Sequence, residues 1–176
     1  MGGGLIILKM NYRTELIKHS DISYDKIQQI VELKSKRWHY TQEQHLDWIS
    51  KNIQPEDYHI LIFENEELIA YTNFVSVKVS INDNEIPFMG IGNVCTAESG
   101  KGYGDLLMKE VNKIIEAKSW KGILFCKDAL VPYYEKYNWE LVDLNCITSE
   151  EIKKHNTMLY NLEKPIASFE YTGRMF

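Results

Sequence analysis

Residues 94–107, VCTAESGKGYGDLL, combine an apolar run, a turn with glycines at 100, 102 and 104, and the start of an amphipathic helix. That layout aims main-chain N–H groups at one point before a helix N-terminus, where a phosphate or pyrophosphate is held without a large basic pocket. Glycine suits each position because it reaches φ > 0 freely and has no Cβ to obstruct a ligand. The spacing matches neither common nucleotide loop. A Walker loop has glycine five residues before Gly-Lys-Ser/Thr, whereas here Cys95 stands five before Gly100 and Gly102 follows Lys101. The dinucleotide fingerprint G-x-G-x-x-G fails because Leu107 stands three residues after Gly104. Just upstream, Gly90-Ile91-Gly92 sets two glycines inside an apolar strand. Such a pair marks a bulge, the close approach of a ligand, or room for a neighbouring aromatic ring.

Two motifs carry a family resemblance. Ser99-Gly100-Lys101-Gly102-Tyr103-Gly104 resembles the (Arg/Gln)-x-x-Gly-x-(Gly/Ala) motif of the GCN5-related N-acetyltransferase (GNAT) superfamily. Tyr133-Tyr134-Glu135-Lys136-Tyr137-Asn138-Trp139-Glu140 is similar to that family's aromatic-Tyr-Glu-Lys-x-Gly-Phe-Glu segment. Together with the strand entering the first motif they span residues 86–142. The resemblance implies that Gly100, Lys101, Gly102, Tyr103, Gly104 and Asp105 hold the pyrophosphate of acetyl-CoA. It also implies a bulged strand whose Gly92, Asn93 and Val94 pair with the pantetheine arm, and a nearby N–H that stabilises the oxyanion formed when an amine attacks the thioester. Tyr134 falls at the position that protonates or hydrogen-bonds the departing thiolate, acid–base work open to a phenol. Its neighbours Tyr133, Tyr137 and Trp139 are large apolar bodies expected to pack. Trp38, His39 and Tyr40 lie in the loop that borders the acceptor pocket in the family, where aromatic faces suit a cationic amine.

The chain departs from the pattern in ways that bear on affinity. Ser99 replaces Arg or Gln, Lys127 replaces an Asn, Asn138 replaces a Gly, and Asp105 adds a negative charge that Lys101 is expected to offset. Gly90 stands where relatives often carry a glutamate base, leaving water relays, His39, Glu98 and the C-terminal carboxylate of Phe176 as the alternatives. The tail over residues 171–176 faintly resembles that of aminoglycoside 2′-N-acetyltransferases, with Arg174 where an acidic residue would greet a polycation.

Composition fits a soluble enzyme of one domain over residues 1–176, large enough to bury one core. A net charge of −5 argues against a general nucleic-acid binder, which needs a basic face, and is compatible with an amine substrate. Cys95, Cys126 and Cys146 are widely spaced and odd in number, as expected in a reducing cytoplasm. The apolar run at residues 5–8 is too short for a membrane span or a signal peptide. Residues 1–9 read as a leader, with Met10 as the natural start. His19, His45, His59 and His155 show no metal-ligand spacing, so no metal is expected. A homodimer is compatible with all of this.

Positioning these groups requires a framework, and the periodicities supply one. Residues 12–17 read as a strand and 24–36 as a helix with Ile27, Ile30, Val31 and Leu33 at helical spacing. Thr41-x-x-Gln44 reads as a capping box opening a second helix that ends before Pro55. Strands are expected over 58–63, 68–79 and 86–96, joined by polar turns at 64–67 and 82–84. A helix over 103–118 buries Leu106, Leu107, Val111, Ile114 and Ile115, and a strand over 122–126 lies parallel to its predecessor. A helix over 130–137, a strand over 139–144, a polar helix over 149–155 and a last strand over 157–162 follow. The expected fold is α/β (α+β): a mixed, mostly antiparallel sheet flanked by helices. The expected function is an acetyl-CoA-dependent N-acetyltransferase acting directly on a primary amine of a small molecule. The alternatives are a non-catalytic acyl-CoA-binding or sensory domain, and an aminoglycoside-type or protein N-acetyltransferase.

Overall fold

Along residues 58–64, Ile60 and Ile62 join one buried cluster while Leu61 and Phe63 join another. A strand whose alternate side chains are buried on both sides must lie inside a sheet covered on both faces. The computed structural model describes residues 12–176, so the expected leader over residues 1–9 and the start at Met10 lie outside the described residues. Strands β1 (Tyr12–Lys18), β2 (Tyr58–Glu64), β3 (Glu67–Ile81), β4 (Asn84–Thr96), β5 (Gly122–Cys126), β6 (Glu140–Leu141) and β7 (Asn156–Tyr160) form one sheet in the order β1-β2-β3-β4-β5-β7-β6. An eighth strand, β8 (Phe169–Glu170), pairs with β3. Every pairing is antiparallel except β4 with β5.

Two helices cover one face. α1 (Tyr24–Arg37) is capped by Ser23, whose hydroxyl accepts from Lys26 N, and α2 (Gln42–Asn52) carries the expected Thr41/Gln44 capping box. They bury Ile30, Val31, Leu33 and Ile49 against Leu61, Tyr71 and Val75. On the other face α3 (Tyr103–Ala117) buries Leu107, Met108, Val111 and Ile115 with Trp139 and Tyr134. Leu106 and Ile114 are only partly buried, and Met108 takes the interior place instead. The hairpin turns are tighter than expected. Asn65-Glu66 and Asn82-Asp83 all have positive φ, the geometry of a two-residue turn matched to strand twist.

The C-terminal third departs most from the sequence expectation. The helix expected over 130–137 is α4 (Val131–Glu135), preceded by a 3-10 turn at Asp128–Leu130. It stops because Asn138 adopts φ 62 and its N–H turns back to Glu135 O. The strand over 139–144 contracts to β6, since Asp143 Oδ1 accepts from Asn145 N and folds the chain into a 3-10 turn at Leu144–Cys146. The polar helix over 149–155 is a single 3-10 turn at Ile152–Lys154 with only Ile152 buried, too little apolar face to hold a longer helix. β7 ends before Asn161, at φ 60, and is not the last strand.

From the end of β1 across β2 to β3 runs a polar chain that no spacing in the sequence suggests. His19 Nδ1 lies 2.8 Å from His59 Nε2, and His59 Nδ1 lies 2.8 Å from the Tyr71 hydroxyl. Burial, helped by His19 and Lys34, pushes the His59 pKa down to about 3. His59 is therefore neutral in the folded protein, while the unfolded chain takes up a proton below pH ~6.5. Stability is full above that pH and lost as pH falls towards 3, with a slope of up to about 1.4 kcal/mol per unit. Urea denaturation between pH 7.5 and 5 is expected to show this decline, and His59→Gln is expected to flatten it.

Candidate active site

The turn before α3 is built by two left-handed glycines. Gly100 has φ +76 and Gly102 φ +78, and a Cβ on either would meet nothing within 4 Å. Gly102 is the N-cap of α3 and supplies no side-chain cap, so the first-turn N–H groups have no capping side chain among the described residues. Gly104 differs from the sequence expectation: it is helical rather than at positive φ, and its missing Cβ makes room for Tyr133. The Tyr133 hydroxyl donates to Gly104 O at 2.9 Å, and that of Tyr137 donates to Asp105 Oδ1 at 2.9 Å. These two tyrosines, expected only to pack, fasten the start of α3. Asp105 is offset by Lys109 at 2.6 Å, not by Lys101, which leans towards Glu98 at 3.7 Å. Lys109 and Tyr137 hold the Asp105 carboxyl below its usual range. Tyr103 donates to Glu64 Oε2 at 2.8 Å, tying α3 to β2.

Just before this turn the sheet opens. The β4–β5 ladder consists of Met89↔Gly122 and Gly90↔Ile123 and goes no further, so residues 91–96 keep strand pairing with β3 alone. The β3–β4 register shifts between Tyr71↔Cys95 and Asn73↔Gly92, placing two residues, Asn93 and Val94, opposite Thr72. This is a bulge, with Asn93 at φ 54. It is pinned by Thr72 Oγ1 donating to Gly92 O at 2.7 Å and Asn93 Nδ2 donating to Asn73 Oδ1 at 2.7 Å. Among the described residues, Asn73 Nδ2 is a buried donor without a partner. The glycine pair upstream makes room for an aromatic: a Cβ on Gly90 would stand 2.4 Å from the Phe176 ring, and one on Gly92 2.6 Å from the Phe176 main chain.

Phe176 is brought there by an anchor at Arg174. The guanidinium donates to both oxygens of buried Asp57, at 2.8 and 2.7 Å, and to Asn52 O at 2.7 Å. Arg174 therefore turns inward and presents no charge to an incoming ligand. Phe176 and Asn93 form one wall of a groove of about 500 Å³, whose other walls are Trp38, Tyr40 and Trp48. His39, expected beside Trp38 and Tyr40, is exposed and does not line it. On the opposite face of the sheet Tyr134 is buried against Tyr133 and Trp139, and its hydroxyl makes no hydrogen bond among the described residues. Burial, with Tyr133 and Cys126 adding, pushes its phenol well above the usual range. Lys127 is an exposed residue at the start of the following 3-10 turn. Cys95, Cys126 and Cys146 are free, and no group of three or more His, Cys, Asp or Glu gathers as a metal site among the described residues. No helix among them is long and apolar enough to cross a membrane.

Residues 19–142 match the family described as "Acetyltransferase (GNAT) domain". The chain belongs to this GNAT acetyltransferase family. Comparison with curated proteins returns no match. Among solved structures, the chain is similar to the GNAT family N-acetyltransferase YhbS of Escherichia coli in complex with CoA, with TM-score 0.64 and 14% identity over 93% of this chain and 91% of that one. It is similar also to an acyl-CoA N-acyltransferase from Pseudomonas aeruginosa, with TM-score 0.60 and 18% identity over 84% and 98% of the two chains. A Brucella melitensis GNAT acetyltransferase in complex with acetyl-CoA gives TM-score 0.55 and 15% identity over 91% and 96%. At such identities these likenesses speak to the GNAT fold.

The left-handed turn yields a direct test. Gly102→Ala meets no steric obstacle but forces an L side chain to φ +78, which costs about 1 kcal/mol. A matching fall in stability is expected in urea denaturation, together with weaker CoA binding by calorimetry.

Proposed function

We propose that this GNAT protein transfers the acetyl group of acetyl-CoA directly to a primary amine of a small molecule. The observation that carries the reading is the opening beside β4, which runs from the groove at Asn93 to the uncapped glycine turn before α3. Three features fit CoA. The space over Gly100 and Gly102 is free for a diphosphate, the unpaired edge of Gly92, Asn93 and Val94 suits the amides of a pantetheine arm, and Asn73 Nδ2 is an unused donor beside Gly92. An unsatisfied buried donor costs about 1–3 kcal/mol, which an oxygen of the bound thioester region would relieve.

The diphosphate is assigned to the main-chain N–H groups of residues 100–105, with Lys101 as a nearby cation. Bound acetyl-CoA supplies an activated acyl carbon. The acceptor enters the groove, gives its ammonium proton to solvent, and attacks with its lone pair. A C–N bond forms, the C–S bond breaks, the nitrogen gives up its second proton to solvent, and the sulfur departs as a thiolate. Tyr134 lies beneath the end of β5 and shares its environment with Cys126. A phenol held above its usual pKa stays protonated, and full transfer to a thiolate, whose thiol has a pKa near ~8.5, is uphill. Its role is therefore to donate a hydrogen bond to the departing sulfur.

Thiol release from acetyl-CoA with a panel of small amines and peptide N-termini tests this. Tyr134→Phe is expected to lower kcat about 10- to 100-fold, the worth of one hydrogen bond to a charged atom, with little change in the KM for acetyl-CoA. Folded protein that binds CoA but releases no thiol with any amine would refute the reaction and leave a binding domain.

A further inference from the structure

Lys34, on the inner side of α1, is a charge without a counter-ion. It is 3% exposed, yet among the described residues its ammonium has no carboxylate within 4 Å and no hydrogen-bond acceptor. What it has is aromatic: Nζ lies 4.4 Å from the centroid of the Trp48 ring and 5.9 Å from that of Trp38. The protein's own cation thus occupies one face of Trp48 and, less closely, one of Trp38. Burial pushes the Lys34 pKa down to about 8, so the ammonium remains charged at neutral pH at a cost. A methionine would fill the same space without desolvating a charge, so packing does not account for a lysine here.

Lys34 lines the same groove as Trp38, Trp48, Asn93 and Phe176. The other ionisable groups around that groove form no ion pair with it among the described residues. Lys51 and Asp47, both of α2, pair with each other at 2.7 Å. His45 has its pKa lowered by burial and by Lys34 itself, so it adds no charge at neutral pH. The Cys95 thiol behind Lys34 is pushed up to about 12 and stays protonated. The main-chain carboxylate of Phe176 also borders the groove, beside Gly92, but forms no ion pair with Lys34, so among the described residues the ammonium has no carboxylate partner and is placed to take one from a ligand.

We propose that Lys34 receives a carboxylate of the acceptor, making the acceptor an amine that carries its own carboxylate, of the amino-acid class. The proposal rests on the groove being the acceptor site. The carboxylate docks on the groove side of Nζ, away from the indole faces, and the amine points towards Asn93 and the opening beside β4. Polycationic acceptors are disfavoured because Lys34 repels them.

The test needs neither CoA nor turnover. The full chain is titrated with N-acetylalanine, N-acetylleucine and N-acetylphenylalanine, and with their primary amides, following tryptophan fluorescence, to which Trp38 and Trp48 contribute. Saturable binding of the acids is expected, at least tenfold tighter than of the matched amides. Lys34→Met is expected to abolish the difference and Lys34→Arg to keep it. Circular dichroism confirms that the variants fold, and wild-type discrimination with Lys34→Arg decides the matter should Lys34→Met fail to. Equal binding of acids and amides, no binding of acids to folded wild type, or an unchanged preference in Lys34→Met would overturn the proposal. Acid binding without thiol release would instead count against acetyl transfer alone.

Discussion

The site depends on the loss of pairing between two neighbouring parallel strands. β4 and β5 share only two residue pairs before the bulge at Asn93 and Val94 bends β4 away. A main-chain edge inside a sheet is costly to leave unpaired, because buried N–H and C=O groups demand partners. Here it is tolerated beside a cleft, and the same bend directs β4 into the glycine turn and the N-terminus of α3. Thr72 and Asn73 on β3 hold the bulge by side-chain hydrogen bonds, so the strand on the other side compensates for what β5 does not supply.

A second constraint shapes the groove side. Asp57 is fully buried, and its two oxygens accept from Ser76 N, Gln54 N and the Arg174 guanidinium. A buried carboxylate is viable only when so thoroughly bonded. The arrangement joins the segment after α2 to β3 and to the tail, and sets Phe176 over Gly90 and Gly92. Removing Cβ atoms from β4 and adding an aromatic ring from the tail are two halves of one packing solution. On the opposite face, Tyr133 and Tyr137 do comparable work for α3, so that each side of the opening is braced by distant residues.

Much of the framework was legible because it follows from local chemistry. The Thr41 capping box, the stripe of α3 and the parallel strand after it were readable from spacing, as was the left-handed turn at Gly100 and Gly102. Less visible was the use of asparagine for glycine's role. Asn65, Asn82, Asn93, Asn138 and Asn161 all take positive φ, and the Asn at 138, which departs from the family's usual glycine, still ends α4 as a glycine would. Short elements such as α4 and β6 carry too little periodicity for their bounds to be read, and the two-residue β8 escaped entirely.

The sequence by itself determined the fold class and the left-handed glycine turn, since capping, alternation and glycine conformation act over a few neighbouring residues. Only the tertiary structure decided what faces the groove beside Trp38 and Trp48. It turned Arg174 inward to Asp57, left His39 outside, brought Phe176 across the chain to Gly90, and placed the Lys34 ammonium against two indoles. Those outcomes depend on contacts between residues far apart in the chain, where a charge finds its partner, or fails to, only once the sheet and helices have closed around it.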